Sequence, residues 1–293
     1  MLLGFTRQAY YQYFWHDQEM SIEHHLVLEK VRELRKSNPR MGTRKLHVLM
    51  TDFLCEHQIK MGRDALFDLL SANYLLVRRK RRRIITTQSG HWFKRYPNLL
   101  TNLQVRKINQ VWVSDITYIK TRQGFLYLSL ITDACSHKIV GYDLADNLES
   151  VNTINALKMA INNALQRNEH LTNLIHHSDQ GFQYCSPKYI KVLEKHDIAI
   201  SMCDRGQPLQ NAIAERVNGI LKHEYLLLHD LKNKRQVLEL LTSTVITYNT
   251  HRPHMSCNML TPDQAHQGGR ILDKSWKNYY RIKKPETVKQ CSD

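Results

Sequence analysis

Three acidic residues stand in settings that suit metal-assisted chemistry. Asp115 is the lone acid in residues 111–119 (VWVSDITYI), a run of apolar and β-branched residues with no basic residue within four positions on either side. Asp179 follows the strand-like residues 174–177 and precedes Gln180 and Gly181, which places it at the mouth of a second strand. Glu215 lies in residues 211–226, where Ile213, Val217, Ile220, Leu221 and Tyr225 recur at helical spacing. An ionised carboxylate among apolar neighbours is normally paired, neutralised or bound to metal. All-oxygen donor sets suit Mg2+ or Mn2+, and two such ions about 3.5–4 Å apart activate the attacking oxygen and stabilise the leaving one in displacement at phosphorus. Lys222, seven residues after Glu215, lies two helical turns on and could hold a phosphate; Asn211, four residues before, shares that face.

Each acid has an ordinary reading beside the chemical one. Asp115 could pair with a distant Arg, Asp179 could close an Asx turn before Gly181, and Glu215 could pair with Arg216 or Lys222 on an exposed helix. His176 and His177 raise zinc, but no Cys or second His pair stands at ligand spacing, and packing against the sheet or contact with a phosphate backbone suits them better.

The elements that must position these acids read as strands at residues 111–120, 125–132 and 138–144, separated by turn-sized gaps that suit antiparallel pairing. A helix at 150–165 follows, with Ser150 as its expected N-cap. A strand ending at Asp179, a helix over 187–195, a strand over 198–202 and the Glu215 helix complete the order βββαβαβα, with a last helix over 235–248. That order predicts an α/β, ribonuclease-H-like core, a fold that brings the first strand, the fourth strand and a later helix to one edge.

Ahead of the core, residues 21–76 read as three short helices with tight turns, the first closed by Asn38-Pro39. With Arg44, Lys45, Lys60 and Arg63 read as exposed, they suit a helix-turn-helix domain; a small bundle used for dimerisation is the alternative. Residues 1–20, rich in Tyr, Phe and Trp, read as an amphipathic helix packed on the next domain. Arg78, Arg79, Lys80, Arg81, Arg82 and Arg83 are six consecutive basic residues, which act as a phosphate grip or as a solvated linker. Four regions result: 1–77 helical, 78–109 a basic linker, 110–265 the α/β core and 266–293 a basic tail. Formal charge is +15, densest at the front, where residues 1–100 hold 18 Lys+Arg against 9 Asp+Glu. A polyanionic partner follows, nucleic acid before membrane, since no segment approaches the ~18 apolar residues of a membrane span. The six cysteines form no CxxC pair and read as reduced thiols. The apolar start stops at Thr6-Arg7, so no export is expected, and a cytoplasmic, nucleoid-associated protein is.

His177-Ser178-Asp179-Gln180-Gly181 with Gln183-Tyr184, the helix from Asn211-Ala212 through Glu215 to Leu221-Lys222, and Tyr248-Asn249 with His251-Arg252-Pro253-His254 and Thr261-Pro262 resemble one family. They are similar to the second-frame (OrfB) transposases of the insertion sequence three family, within the retroviral-integrase-like DDE superfamily. Trp112 to Thr117 matches the segment with the first family aspartate, and residues 39–49 resemble the family's helix-turn-helix segment. The chain departs at Gln210, where many relatives carry aspartate, and at Val217-Asn218, where they carry an aromatic pair. The resemblance implies that Asp115, Asp179 and Glu215 are catalytic and hold two Mg2+ or Mn2+ ions, with Lys222 positioning phosphate. It implies cleavage of element-end DNA and strand transfer into target DNA, in at least a dimer, with fusion to or help from an upstream-frame protein. Arg44, Lys45, Arg63, the basic run, Asn211, Lys222 and Arg252 are the expected DNA contacts. A nuclease of the same fold that only hydrolyses, and a non-enzymatic DNA-binding regulator, are the alternatives.

Overall fold

The computed structural model describes residues 7–77, 92–101, 103–204 and 207–267. The basic run at 78–83, residues 84–91 of the segment joining it to the core, and residues 268–293 lie outside the described residues.

The chain opens with α1 (Arg7–Ser37), α2 (Thr43–Leu49), α3 (Thr51–Glu56) and α4 (Arg63–Ala72). α1 is one continuous helix where the sequence suggests two pieces, because neither Gly nor Pro interrupts residues 7–37. It stops at Ser37, before the expected Asn38-Pro39 break. The second expected helix is divided at Met50 into α2 and α3. Val27, Val31, Leu46, Met50, Leu66 and Leu70 are fully buried together and form the core of this helical module, which has the character of a helix-turn-helix unit.

Strands β1 (Val111–Thr121), β2 (Gly124–Asp133), β3 (Ile139–Ala145), β4 (Ile175–Ser178) and β5 (Ala199–Met202) form one sheet in the order β3-β2-β1-β4-β5. β1, β2 and β3 pair antiparallel, while β4 and β5 continue the sheet parallel to β1. Gly124 takes φ +130°, a conformation that favours glycine, so the two-residue β1–β2 turn depends on it. α5 (Ser150–Gln166) and α6 (Pro187–Lys195) cover one face, where Trp112, Ile131 and Val140 meet Leu157, Ile161, Tyr189 and Leu193. α7 (Ala212–Ile220) and α8 (Lys234–His251) cover the other, where Ile119, Leu128 and Leu130 meet Val217, Ile220, Val237, Leu241 and Tyr248. α9 (Pro262–Gln267) closes the described chain. This is the ribonuclease-H-like architecture that the element order predicts.

Two local details differ from expectation. The N-cap of α5 is Glu149, whose side chain makes no capping bond, and Ser150 is the first helical residue, its carbonyl accepting from Thr153 Oγ1 at 2.8 Å. α7 does not run unbroken to residue 226: it passes into a π turn, Leu221–Tyr225, and a 3-10 turn, Leu226–Leu228. No helix among the described residues is long and apolar enough to cross a membrane.

α5 approaches β3 so closely that a Cβ on Gly141 would sit 2.2 Å from the Ala156 carbonyl oxygen and 2.9 Å from the Ala160 Cβ. Backbone cannot yield there as a side-chain tip can. Gly141→Ala is therefore expected to cost ~2 kcal/mol or more, read as a fall of several degrees in the thermal midpoint; an unchanged midpoint would show that α5 can lift away freely.

Candidate active site

Side chains alternate faces along a strand, so Val111, Val113, Asp115 and Ile119 of β1 point toward α7, while Trp112 and Ser114 point toward α5 and α6. Asp115 therefore meets the helix that carries Glu215. The parallel ladder pairs Val113 with His177, and Asp179 follows just past the end of β4, near enough for its charge to act on Asp115. Three acids distant in sequence share one end of the β1–β4 seam, with α7 across it.

The Asp115 carboxylate accepts from Asn218 Nδ2 at 2.9 Å and from its neighbour's amide, Ile116 N–H, at 2.9 Å. Both donors are neutral, and no Arg pairs with this acid among the described residues. Burial pushes its pKa from 3.8 up to about 7; the negative charges of Asp179 and Glu215 add to the rise, and the two hydrogen bonds oppose it. Glu215 is exposed on α7, and its pKa is raised by partial burial and by Asp179. Asp179 accepts the Gly181 N–H at 2.9 Å, so the Asx turn forms, and the turn holds the carboxylate at the strand mouth.

Asp133 supplies the contrast. It is fully buried, yet its oxygens accept from Asn109 N–H (2.7 Å), Cys135 N–H (3.1 Å), Ser136 N–H (2.7 Å) and Ser136 Oγ (2.8 Å). Four donors complete a structural carboxylate. Asp115 has half that number and two acidic neighbours, so a cation is the partner its surroundings lack. Three carboxylates make a hard-oxygen donor set for Mg2+ or Mn2+. The three influence one another as charges, yet no group of three His, Cys, Asp or Glu among the described residues is drawn together tightly enough to enclose an ion.

The histidines are structural. His176 Nε2 lies 2.7 Å from Ser114 Oγ and 2.9 Å from Tyr189 Oη, and burial lowers its pKa to about 3. His177 contacts Ser201 Oγ at 2.8 Å and Cys203 Sγ at 3.3 Å, and burial lowers its pKa to about 4. Both are neutral near pH 7. Each anchors β4 and offers nothing to zinc or to a phosphate.

The expected DNA contacts separate by environment. Arg44 is exposed, and exposed Arg63 pairs with Asp64 at 2.8 Å. Lys222 is half-buried on the π turn. Lys45, read as exposed from sequence, is half-buried; burial lowers its pKa to about 7, with Arg252 and Arg216 acting in the same direction against Glu224. Asn211 is buried and donates to the Ser114 carbonyl at 2.9 Å, so it ties the start of α7 to β1 and does not face DNA. Arg252 is 3% exposed and clamps Glu224 through bonds of 2.9–3.0 Å, which takes its guanidinium out of any DNA-facing surface.

Two neighbours of the acids, named in the sequence only as parts of the family pattern, receive no role there. Asn218 stands three residues after Glu215 inside an otherwise apolar stripe, and that misplaced amide was the available signal. Tyr184 is buried near Asp115 and Asp179 with its hydroxyl lacking a hydrogen-bond partner among the described residues.

Two family models, both described as "Integrase core domain", match residues 105–208 and 196–262. An uncharacterised 31 kDa protein of insertion element IS600 from Shigella sonnei is 34% identical over 266 residues, covering 89% of this chain and 94% of that protein. The chain belongs to the integrase-core proteins of the insertion sequence three family. Transposase InsF for insertion sequence IS3A from Escherichia coli is 33% identical over 161 residues, spanning 53% of each chain. A solved structure of the HTLV-2 integrase catalytic core domain in complex with magnesium is 21% identical, covers 54% of this chain and 96% of that one, and has a TM-score of 0.43. At family level the protein is a transposase- or integrase-like enzyme acting on DNA.

Asp115 holds its proton more tightly when folded, at about 7, than at its ordinary 3.8. Its contribution to stability is fully present below about pH 4 and is lost as pH rises through about 7. Without divalent ions, Asp115→Asn should therefore gain on wild type in thermal midpoint as pH rises from 4 to 8, by roughly 5 °C. Scanning calorimetry across that range checks it, and a pH-independent difference would count against a buried, unneutralised acid.

Proposed function

We propose that this integrase-core protein is a DNA transposase that cuts at element ends and joins them to target DNA with one site. In the first step water forms a bond to phosphorus and the P–O3′ bond breaks, leaving a 3′-hydroxyl on the element. In the second that hydroxyl oxygen attacks a target phosphodiester, displacing a target 3′-oxygen. The observation that carries the reading is Asp115: a half-buried carboxylate whose hydrogen-bond donors among the described residues are neutral, facing α7 and within reach of the charges of Asp179 and Glu215.

Asp115, Asp179 and Glu215 would hold Mg2+ or Mn2+, two ions per site, which when bound supply Lewis acidity to the attacking and leaving oxygens. Asn218 keeps Asp115 turned toward α7. Lys222 would position the phosphate. His176 and His177, neutral and hydrogen-bonded inside the sheet, are poorly placed to act as general bases, which supports a nucleophile activated at the carboxylates. The helical module at 1–77 would bind element ends, the basic linker at 78–109 would track the backbone between domains, and the tail at 266–293 would add charge. Two ends require at least two copies in the DNA complex, and an upstream-frame protein is the expected collaborator. A cytoplasmic, nucleoid-associated location follows from that role.

The deciding assay uses labelled element-end DNA and a plasmid target in Mg2+ or Mn2+. Asp115→Asn and Glu215→Gln should each lower cleavage and joining by roughly three orders of magnitude, ~4 kcal/mol of transition-state stabilisation, while end binding persists. Cleavage without joining by wild type would favour a nuclease, and metal-independent behaviour throughout would favour a DNA-binding regulator. Replacing Arg78 to Arg83 with Gln should flatten the salt dependence of DNA binding by up to about five in log–log slope. An unchanged slope would leave that run a solvated linker.

A further inference from the structure

We infer that Asn38 and Arg40, in the turn that ends α1, are positioning residues for the proposed phosphodiester site and act through the π turn that carries Lys222. The inference rests on the function proposed above and adds a role for the helical module beyond DNA binding.

The π turn Leu221–Tyr225 continues directly from the helix that bears Glu215 and Asn218. Single π turns are less stable than the α-helix they interrupt and persist where surrounding contacts hold them. Here contacts grip it on several sides. Leu221 is fully buried in the core beneath β2 and β3. Glu224 is clamped by Arg252. Tyr225 Oη donates to Asn38 Oδ1 at 2.6 Å, and both residues are buried, at 5% and 4% exposure. Arg40 Nη1 donates to the His223 carbonyl oxygen at 3.4 Å. The last two bonds come from the helical module, across more than 180 residues of sequence.

The module's side of this contact is braced. Pro39 ends α1, and the turn that follows is closed by Met41 N–H on the Asn38 carbonyl at 3.1 Å. Arg35 donates to the carbonyls of Met41 at 3.3 Å and Leu75 at 2.7 Å, which locks the turn to the end of α4. A displacement of the module therefore arrives at Tyr225 without being absorbed in a loop. Tyr225 stands three residues after Lys222, within the same turn. Because a buried acceptor left without its donor is unfavourable, the Asn38–Tyr225 contact resists opening. While that contact is made the turn is held in its π form, and with it the placement of Lys222 that the proposed function calls for.

The test uses the full chain with Tyr225→Phe, Asn38→Ala, the double variant, and Arg40→Gln as a half-buried change that tolerates loss of a core variant. Amide hydrogen exchange over residues 218–226 and joining of labelled end DNA in Mg2+ are measured together. Expected are faster exchange confined to that segment, with β1 amides unchanged, and a fall of about tenfold in joining rate at saturating DNA. The DNA concentration for half-maximal rate should stay within about twofold, and the double variant should be no worse than the poorer single. Unchanged exchange, or losses that multiply in the double variant, would overturn the coupling. If wild type joins no DNA, the functional reading fails, and exchange alone decides whether the module holds the turn.

Discussion

The structure turns on one unfavourable placement, a carboxylate in the middle of a central strand with no positive partner beside it among the described residues. Asp115 sits on β1 opposite Leu130, on the sheet face that otherwise holds Ile119, Leu128, Val217 and Ile220. Sheet, helix and loops are arranged so that this charge is reached by other acids and by neutral amides. β4 adds to β1 in parallel and delivers Asp179, and α7 crosses the same face with Glu215 and Asn218. Had the strand slipped by one residue, Asp115 would face α5 and the group would not exist.

Around this point the chain separates two uses of buried polarity. Asp133, His176 and His177 are satisfied by neighbours and hold strands and turns in register, while Asn211 ties α7 to β1 through its amide N–H alone. Arg252 and Glu224 satisfy each other under α8. Asp115 is left with a deficit, and the deficit lies where three chain segments converge. Stability and the proposed chemistry thus fall to different polar groups within a few residues of each other: Ser114 anchors His176 while Asp115, next to it, faces the opposite side.

Much of this was legible in the sequence because local rules and tertiary need agree. The strands announce themselves by β-branched runs and short gaps, and the convergence of the three acids follows from element order. What was not legible depended on partners far along the chain. Arg252 reads as an exposed cation in His251-Arg252-Pro253-His254 until Glu224 is placed against it. Asn211 and Lys45 read as surface residues until Ser114 and the Arg252 cluster are in place. The π turn carries neither Gly nor Pro to mark it, since contacts from the core and from the helical module hold it. Asn218 looked like a departure from a family pattern, and its hydrogen bond to Asp115 gives that departure a purpose. The single long α1 was missed for a simpler reason: a change in composition near Ser21 was read as a boundary, though nothing there breaks a helix.

The parallel pairing of β1 with β4 has a consequence for timing. β1 emerges during synthesis well before its partner, after two antiparallel hairpins and a whole helix, and α7 follows later still. Non-local pairings of this kind form late in folding. A chain leaving the ribosome therefore carries Asp115 for a long interval as an isolated, solvated carboxylate. The complete set of carboxylates comes together only when nearly all of the core has been made. A protein whose proposed work is to break chromosomes is, by its topology, unable to begin until it is finished.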